Sequence, residues 1–225
     1  HLNRTIIMTV KLYLESIEAA YAQTFDAQVV AIDGNSIVLD RTLFYPLGGG
    51  QQWDTGVLSG PNGDINVQEV RGRGDVHHTV ETEHQLVVGD EVRGTVDWNT
   101  RYAHMRMHTA QHLMSGIAYE LFNGVRTVGN QIHAEKSRID FNPISFDEAM
   151  MERLVDVVNG HINTGLEVSD SVMTREEINT IMPPDRTNMN LLPASVRDLR
   201  VVQIGDQVDL CLLYTSPSPR DPIGS

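Results

Sequence analysis

Two histidines four residues apart are the first residues of this sequence whose types and spacing indicate chemistry. His108 and His112 lie in the segment Met107–Leu113, within a run whose apolar residues recur at helical spacing. Positions i and i+4 project from the same side of a helix, so both imidazoles can reach one metal ion. Imidazole is a common zinc ligand. The spacing predicts a metal site, although two histidines on a solvated helix face would show the same pattern.

One neighbouring histidine and one neighbouring threonine limit this hypothesis. His104 extends the row by another turn, and it either joins the ligands or belongs to a solvated face. A zinc protease of the H-E-x-x-H type is excluded, because Thr109 occupies the position of the glutamate that serves as general base. An unrelated metal hydrolase with the same histidine spacing stays an alternative.

A glycine-rich segment, Phe44–Gly56, is the second unusual feature. Gly48, Gly49 and Gly50 allow backbone conformations closed to other residues and let a ligand approach the main chain. The segment lacks both the Lys-Ser/Thr pair of a phosphate-binding loop and the G-x-G-x-x-G spacing of dinucleotide-binding folds. A flexible connection between strands would also contain glycines, but the flanking aromatic residues provide rigid packing surface and favour a fixed loop.

The first half of the chain has the pattern of short β-strands. Runs rich in Val and Ile recur from Phe25 to Asp97, separated by turn signals such as Gly34-Asn35 and Pro61–Asp64. Many short strands at regular spacing are typical of small barrels. We therefore predict a small β-barrel that carries the glycine-rich segment, within a domain over residues 8–97.

After Trp98 the periodicity changes to that of helices. The run Thr100–Phe122 has one apolar face and, on the histidine side, a polar face that we expect to be exposed. A second helix is predicted over Ser145–Asn163, opened by a capping box of Ser145 and Glu148. Thr174 with Glu177 repeats that capping signature, and strand-like runs occur at Arg138–Phe141, Leu166–Val168 and Leu199–Ile204. These alternating signals predict an α+β domain over residues 98–210.

Composition limits the class of protein. The formal net charge is -13, and Lys11 and Lys136 are the only lysines, which counts against a broad nucleic-acid-binding face but not against a small contact with one RNA end. No apolar stretch approaches the ~20 residues of a membrane helix. The single cysteine, Cys211, cannot form an internal disulfide. We therefore expect a cytoplasmic protein.

Taken together, the two motifs resemble the alanyl-tRNA editing family, which includes freestanding AlaX-type proteins and the editing domain of alanyl-tRNA synthetase. Phe44–Gly56 matches the family pattern F-Y-P-x-G-G-G-Q-x-x-D-x-G completely, and Arg101–Leu113 fits its helix motif. Ser137–Phe141 resembles its S-R-x-D-F strand, and Leu199–Asp206 resembles the strand before its second metal motif. The resemblance covers roughly Met8–Leu210.

This resemblance implies a fold and an activity. The fold is a small N-terminal β-barrel followed by an α+β editing domain. The activity is that of an aminoacyl-tRNA hydrolase, which removes serine or glycine from the 3′ end of mischarged alanine tRNA and so maintains translation fidelity. Because the barrel signals begin almost at the first residue, we expect a freestanding protein rather than part of a ligase.

The family also implies site residues. His108 and His112 would hold Zn²⁺ together with a later C-x-x-x-H pair, and the ion could orient the substrate or activate water. The residues that would line the substrate pocket are Gly48, Gly49, Gly50 and Gln51. His133 lies near a strand that the family places by the pocket. No general base is implied for any residue.

The resemblance ends after Leu210. The family pattern continues there with a short spacer and then C-G-G-T-H, whereas in this chain no histidine follows Cys211, which lies about two positions early for the expected ligand. Residues 211–225 resemble a translated sequencing adapter, and we predict that they are a non-native tail; alternatively, Cys211 is a genuine third ligand. With two of four ligands missing, we expect this chain to bind zinc weakly and to edit poorly or not at all.

Two further alternatives stay open. One is a non-catalytic tRNA-binding remnant that keeps the same scaffold but performs no chemistry. The other is a threonyl-type tRNA editing domain, which also carries H-x-x-x-H. The complete match of Phe44–Gly56 disfavours the threonyl type.

Overall fold

The computed structural model describes residues 8–72, 74–81, 83–182, 197–205 and 210–213. These residues form two compact units. The first contains the described residues up to Met107 together with Gln131–Arg138, and the second contains His108–Asn130 and the described residues from Ile139 onward. The domain bounds 8–97, 98–210 and 211–225 stay a prediction, and residues 214–225 of the predicted tail lie outside the described residues.

Short strands dominate the chain as far as residue 96, and helices and strands alternate after it. The first part comprises β1 (Val10–Lys11), a short 3-10 helix (Leu12–Leu14), α1 (Ile17–Ala20), β2 (Thr24–Asp33), β3 (Ser36–Leu39), β4 (Arg41–Thr42), β5 (Gly56–Gly60), β6 (Gly63–Arg71), β7 (His77–Val80) and β8 (Glu91–Val96). The rest comprises α2 (Trp98–Leu121), β9 (Arg126–Gln131), β10 (Arg138–Asn142), α3 (Glu148–Asn163), β11 (Val168–Thr174), α4 (Arg175–Ile181), β12 (Asp198–Ile204) and β13 (Leu210–Leu213).

Six strands close into a barrel in the order β2-β3-β7-β6-β5-β8, with β8 pairing back onto β2. Buried and exposed residues alternate along β8, as expected for a strand with one face toward a core. Gly94 on this strand is required for packing, because a Cβ there would lie 2.1 Å from the ring of Phe25. The predicted barrel and the predicted hairpin turn at Gly34-Asn35 are both confirmed.

The second unit combines helices with a three-stranded antiparallel sheet in the order β11-β12-β13. Its core brings the apolar face of α2 together with α3 and the end of β12, through Leu113, Ile117, Leu154, Val158 and Ile204. Strand β9 pairs with β10 in a separate two-stranded sheet. The predicted mixed α+β class is confirmed.

Two predicted helix starts have different outcomes, and one strand was not predicted. The capping box at Ser145 is wrong: α3 begins at Glu148, and its N-cap is Asp147, whose carboxylate accepts a hydrogen bond of 2.8 Å from the backbone N–H of Met150. Aspartate is as favourable at the N-cap as serine is, so Asp147 can take this role two residues after Ser145. Strand β9 was not predicted, because it contains Gly-Asn, a pair depleted in strands. The capping box of Thr174 with Glu177 is confirmed.

Within the described residues, no helix is both long enough and apolar enough to span a membrane.

Candidate functional site

The glycine-rich segment contains a tight turn at Gly48–Gln51, in the first unit. The backbone N–H of Gly48 donates to the carbonyl of Gln51 over 3.2 Å, and the N–H of Gln51 donates back over 2.9 Å. Gly49 and Gly50, at the centre of the turn, have φ of 59° and 81°. Glycine adopts such positive values readily, and other residues do so at a cost. The segment therefore forms a hydrogen-bonded turn, and its rigidity stays a prediction.

Neighbouring segments of the first unit hold this turn from two sides. The Tyr45 hydroxyl donates to the carbonyl of Gly48 over 3.1 Å. On the other side, the N–H of Ile132 donates to the carbonyl of Gly50 over 2.8 Å, and the N–H of Gln52 donates to the carbonyl of Ile132 over 3.2 Å. His133 therefore follows directly on a residue bonded to the turn, and its side chain is exposed.

Asp54 lies two residues before the end of the glycine-rich segment, and Arg101 in the first turns of α2 binds it. Asp54 Oδ2 accepts hydrogen bonds from Arg101 Nε over 2.8 Å and from the backbone N–H of Tyr45 over 2.7 Å. Arg101 also donates to the carbonyls of Ala20 and Leu43. No role was predicted for this pair from the sequence; its presence in the two family motifs was the only available signal.

His104 is buried, with 3% of its surface exposed, so it does not belong to a solvated helix face. Burial lowers the pKa of His104; the neighbouring His133 and Arg101 act in the same direction, and the carboxylates of Asp54 and Asp97 oppose it. The imidazole is therefore neutral at pH 7. Neither its Nδ1 nor Asp54 Oδ1 has a hydrogen-bond partner among the residues that the structure describes.

The two predicted metal ligands lie side by side in the second unit. The rings of His108 and His112 are nearly parallel, at 15°, with 5.1 Å between their centroids. Both side chains are half-buried. This is the arrangement expected for imidazoles one helical turn apart. The structure therefore brings His108 and His112 together, as the spacing predicted, on the half of α2 that belongs to this unit.

A hydrogen-bonded chain of polar residues covers the side of α2 next to these histidines. Gln111 Nε2 donates to Ser115 Oγ over 3.1 Å, and Ser115 Oγ lies 2.7 Å from Thr127 Oγ1. Asn130 Nδ2 donates to Gln111 Oε1 over 3.1 Å. Ser115, which extends the histidine side of the helix, is buried, so the prediction of an exposed polar face is wrong for this residue; Gln111 is buried as well. Strand β9, which was not predicted, provides their hydrogen-bond partners Thr127 and Asn130.

The described side chains include ligands of the type that zinc prefers, but too few of them for a complete zinc site. Two imidazoles are suitable zinc ligands, and their rings lie side by side on adjacent turns of the helix. Across the described residues, no group of three or more His, Cys, Asp or Glu side chains is arranged to hold a metal. A catalytic zinc usually has three protein ligands. The described residues therefore provide His108 and His112 as candidate ligands, and the zinc site stays a prediction.

Proteins with similar sequences are named for tRNA synthetases and for alanyl-tRNA editing. A family model described as tRNA synthetases class II (A) matches residues 8–100. The alanyl-tRNA editing protein AlaX-M of Saccharolobus solfataricus is 39% identical over 173 residues, which cover 76% of this chain and 71% of that protein. AlaX-M of Pyrococcus horikoshii is 36% identical over 170 residues, which cover 72% of this chain and 74% of that protein.

A larger enzyme contains a similar region. The alanine–tRNA ligase of Pyrobaculum calidifontis is 40% identical over 195 residues, which cover 84% of this chain but 21% of the ligase. The similarity to AlaX-M, in contrast, extends over most of both chains. The chain therefore belongs to the family of AlaX-type alanyl-tRNA editing proteins.

Proposed function

We propose that this protein hydrolyses the ester bond that joins serine or glycine to the 3′ end of alanine tRNA, with zinc as its cofactor. Water adds to the ester carbonyl carbon, and the bond from that carbon to the ribose oxygen breaks. The products are the free amino acid and a tRNA whose terminal ribose has regained its hydroxyl. The observation that carries this proposal is the 39% identity to an AlaX-M protein over 71% of its length.

Serine and glycine are the amino acids that a pocket shaped for alanine excludes poorly. Glycine is smaller than alanine, and serine differs from it by one hydroxyl group. Differences of this size provide too little binding free energy for accurate selection, so a second hydrolytic site is needed. The family to which the chain belongs consists of such aminoacyl-tRNA hydrolases.

The turn at Gly48–Gln51 is the proposed wall of the substrate pocket. Gly49 is exposed at the tip of the turn and has no Cβ, so a substrate can approach its main chain closely. The hydrogen bonds from Tyr45 and to Ile132 keep the turn in one conformation before the substrate arrives. A preorganised wall avoids the cost of ordering a loop on binding.

His108 and His112 are the residues that would hold the zinc ion in the proposed enzyme. Their side chains sit on a helix, whose backbone hydrogen bonds fix the distance between them. When bound, zinc would polarise the ester or activate water. The hydrogen-bonded chain from Gln111 to Asn130 helps to hold this part of α2 in place.

The test is release of labelled serine from alanine tRNA charged with serine. We expect release by the chain extended after Leu210 with a short spacer and Cys-Gly-Gly-Thr-His, and loss of release to background when that chain carries His108→Ala. His161→Ala is the matched control, because it removes a histidine at the end of α3 that has no proposed role. An extended chain that binds tRNA but releases no serine would favour the non-catalytic alternative instead.

A further inference from the structure

Three aromatic side chains of the first unit form a cluster, which we call the aromatic platform: Tyr21, Trp98 and Tyr102. The rings of Trp98 and Tyr102 are stacked at 23°, with 5.6 Å between centroids. Tyr21, which follows α1, lies 5.8 Å from the ring of Trp98 and 6.3 Å from that of Tyr102. Trp98 and Tyr102 are four residues apart on α2, so they project from the same side of the helix.

The aromatic platform is open to solvent and carries a cation. Tyr21 is 50% exposed and Tyr102 is 41% exposed. The guanidinium of Arg106, one further turn along α2, lies 6.0 Å from the centre of the Tyr102 ring. A guanidinium beside exposed aromatic rings combines a positive charge with flat apolar surface.

Packing within the unit does not require such exposure. Phe25 and Phe44 form a comparable aromatic pair in the barrel, 5.6 Å apart, and they are 7% and 0% exposed. Aromatic rings that serve only the core are covered in this way, because burying them contributes most of their stabilising free energy. The aromatic platform leaves ring area exposed, so that area is available to a ligand.

Unpaired nucleotides fit the platform in shape and charge. Every base has a flat face that stacks on aromatic rings, and proteins bind single strands by combining such rings with cations that contact the phosphates. The net charge of -13 and the scarcity of lysine leave little capacity for binding RNA through phosphates alone. Stacking on exposed aromatic rings can supply binding free energy that phosphate contacts do not.

We propose that the aromatic platform binds unpaired bases near the 3′ end of the tRNA, with Arg106 contacting a phosphate. This proposal rests on the proposed function, since it assigns that substrate a second contact in addition to the editing site. Tyr102 provides the most exposed stacking face on α2, and Trp98 beneath it keeps the ring in place. Neither residue contacts the reacting ester in this proposal; both position the RNA.

The test measures binding of uncharged alanine tRNA and of a short unpaired RNA oligonucleotide with the same 3′ sequence. We expect Tyr102→Leu to raise the Kd for both RNAs about tenfold. Tyr102→Phe should restore binding to within about twofold, because it keeps the ring. Arg106→Gln should raise the Kd severalfold and reduce its dependence on salt. Arg71→Ala is the matched control, since Arg71 lies 5.1 Å over Trp53, outside the platform.

A second measurement separates stacking from a structural effect. The chain contains two tryptophans, Trp53 and Trp98. A base stacked on the platform should quench the fluorescence of Trp98, and the quenching should disappear in Trp98→Phe. Unchanged Kd values in Tyr102→Leu, or the absence of Trp98 quenching by bound RNA, would overturn the proposal.

The two proposals fail separately. If the extended chain releases serine while Tyr102→Leu binds RNA normally, the editing function stands and the platform proposal falls. If Tyr102→Leu loses RNA binding while no variant releases serine, the platform proposal stands without the activity. A protein partner that protects Tyr102 while RNA does not would also contradict the RNA assignment.

Discussion

The guanidinium of Arg101 and the carboxylate of Asp54 form an ion pair whose side chains are 3% and 1% exposed. The two residues are 47 positions apart in the sequence. The pair connects the start of α2 with the end of the glycine-rich segment, and Asp54 also receives the N–H of Tyr45 at the start of that segment. Both ends of the segment are thereby fixed around the turn at Gly48–Gln51.

Removal of one partner of this buried pair should be strongly destabilising. Asp54→Asn leaves the guanidinium of Arg101 buried without a counterion, and breaking a buried pair in this way costs about 3–5 kcal/mol. We expect the free energy of unfolding, measured by urea denaturation, to fall by that amount.

An exposed ion pair of the same barrel provides the control. Arg93 and Asp26 are 3.3 Å apart, with side chains 57% and 76% exposed. Asp26→Asn should change the free energy of unfolding by less than about 1 kcal/mol, because solvent screens exposed pairs. Equal effects of Asp26→Asn and Asp54→Asn would show that burial of the Arg101 pair contributes nothing.

Acid should destabilise the barrel through His78. This side chain is fully buried; its Nδ1 donates to the carbonyl of Ile37 over 3.0 Å, and its Nε2 accepts from the Thr42 hydroxyl over 2.8 Å. Burial lowers the pKa of His78 from 6.5 to about 4. The unfolded chain therefore takes up a proton at a higher pH than the folded one, and stability present above pH 6.5 is lost as the pH falls toward 4.

The expected loss is about 3 kcal/mol between pH 7.5 and pH 4. Urea denaturation across this range measures the loss. The free energy of unfolding of the His78→Gln variant should fall by about 3 kcal/mol less than that of the wild-type protein. His161→Gln is the matched control, because it removes a histidine on α3, in the second unit. A parallel pH dependence for wild type and His78→Gln would contradict the prediction.

The turn should tolerate a side chain at one glycine and not at another. Gly50 has a φ of 81°, so Gly50→Ala forces alanine into a left-handed conformation at a cost of about 1–2 kcal/mol. A Cβ at Gly48 would meet its nearest neighbour at 3.8 Å, an ordinary contact. We expect thermal denaturation to show a lower Tm for Gly50→Ala than for Gly48→Ala. Equal Tm values would mean that the turn relaxes freely.

Zinc affinity should depend on His108 and on ligands supplied after Leu210. We expect weak zinc binding by the chain as it stands, and at least about tenfold tighter binding after extension with a short spacer and Cys-Gly-Gly-Thr-His, because each added ligand raises affinity at least as much as an outer-shell partner does. Isothermal titration with zinc measures both. His108→Ala should reverse the gain, whereas His161→Ala should not. Tight stoichiometric binding without the extension would show that the ligand assignment is incomplete.

Local signals in the sequence were sufficient for several elements of the fold. The hairpin at Gly34-Asn35, the capping box of Thr174 and the helix that carries His108 and His112 follow from residue types at short separations. Strand β9 did not follow, because Gly129 and Asn130 have little strand propensity of their own. Packing against β10 favours glycine at position 129, because a Cβ there would lie 2.9 Å from Asp140 Oδ2.

The sequence by itself determined which residues can do chemistry: the spacing that places His108 beside His112, and the glycines that allow the turn at Gly48–Gln51. These properties arise from helical periodicity and from the absence of a Cβ, which act over a few residues. Only the tertiary structure decided that His104 is buried and that Arg101 binds Asp54. Burial and pairing depend on segments that are distant along the chain and meet only when the barrel closes. Patterns over a few residues therefore do not predict them.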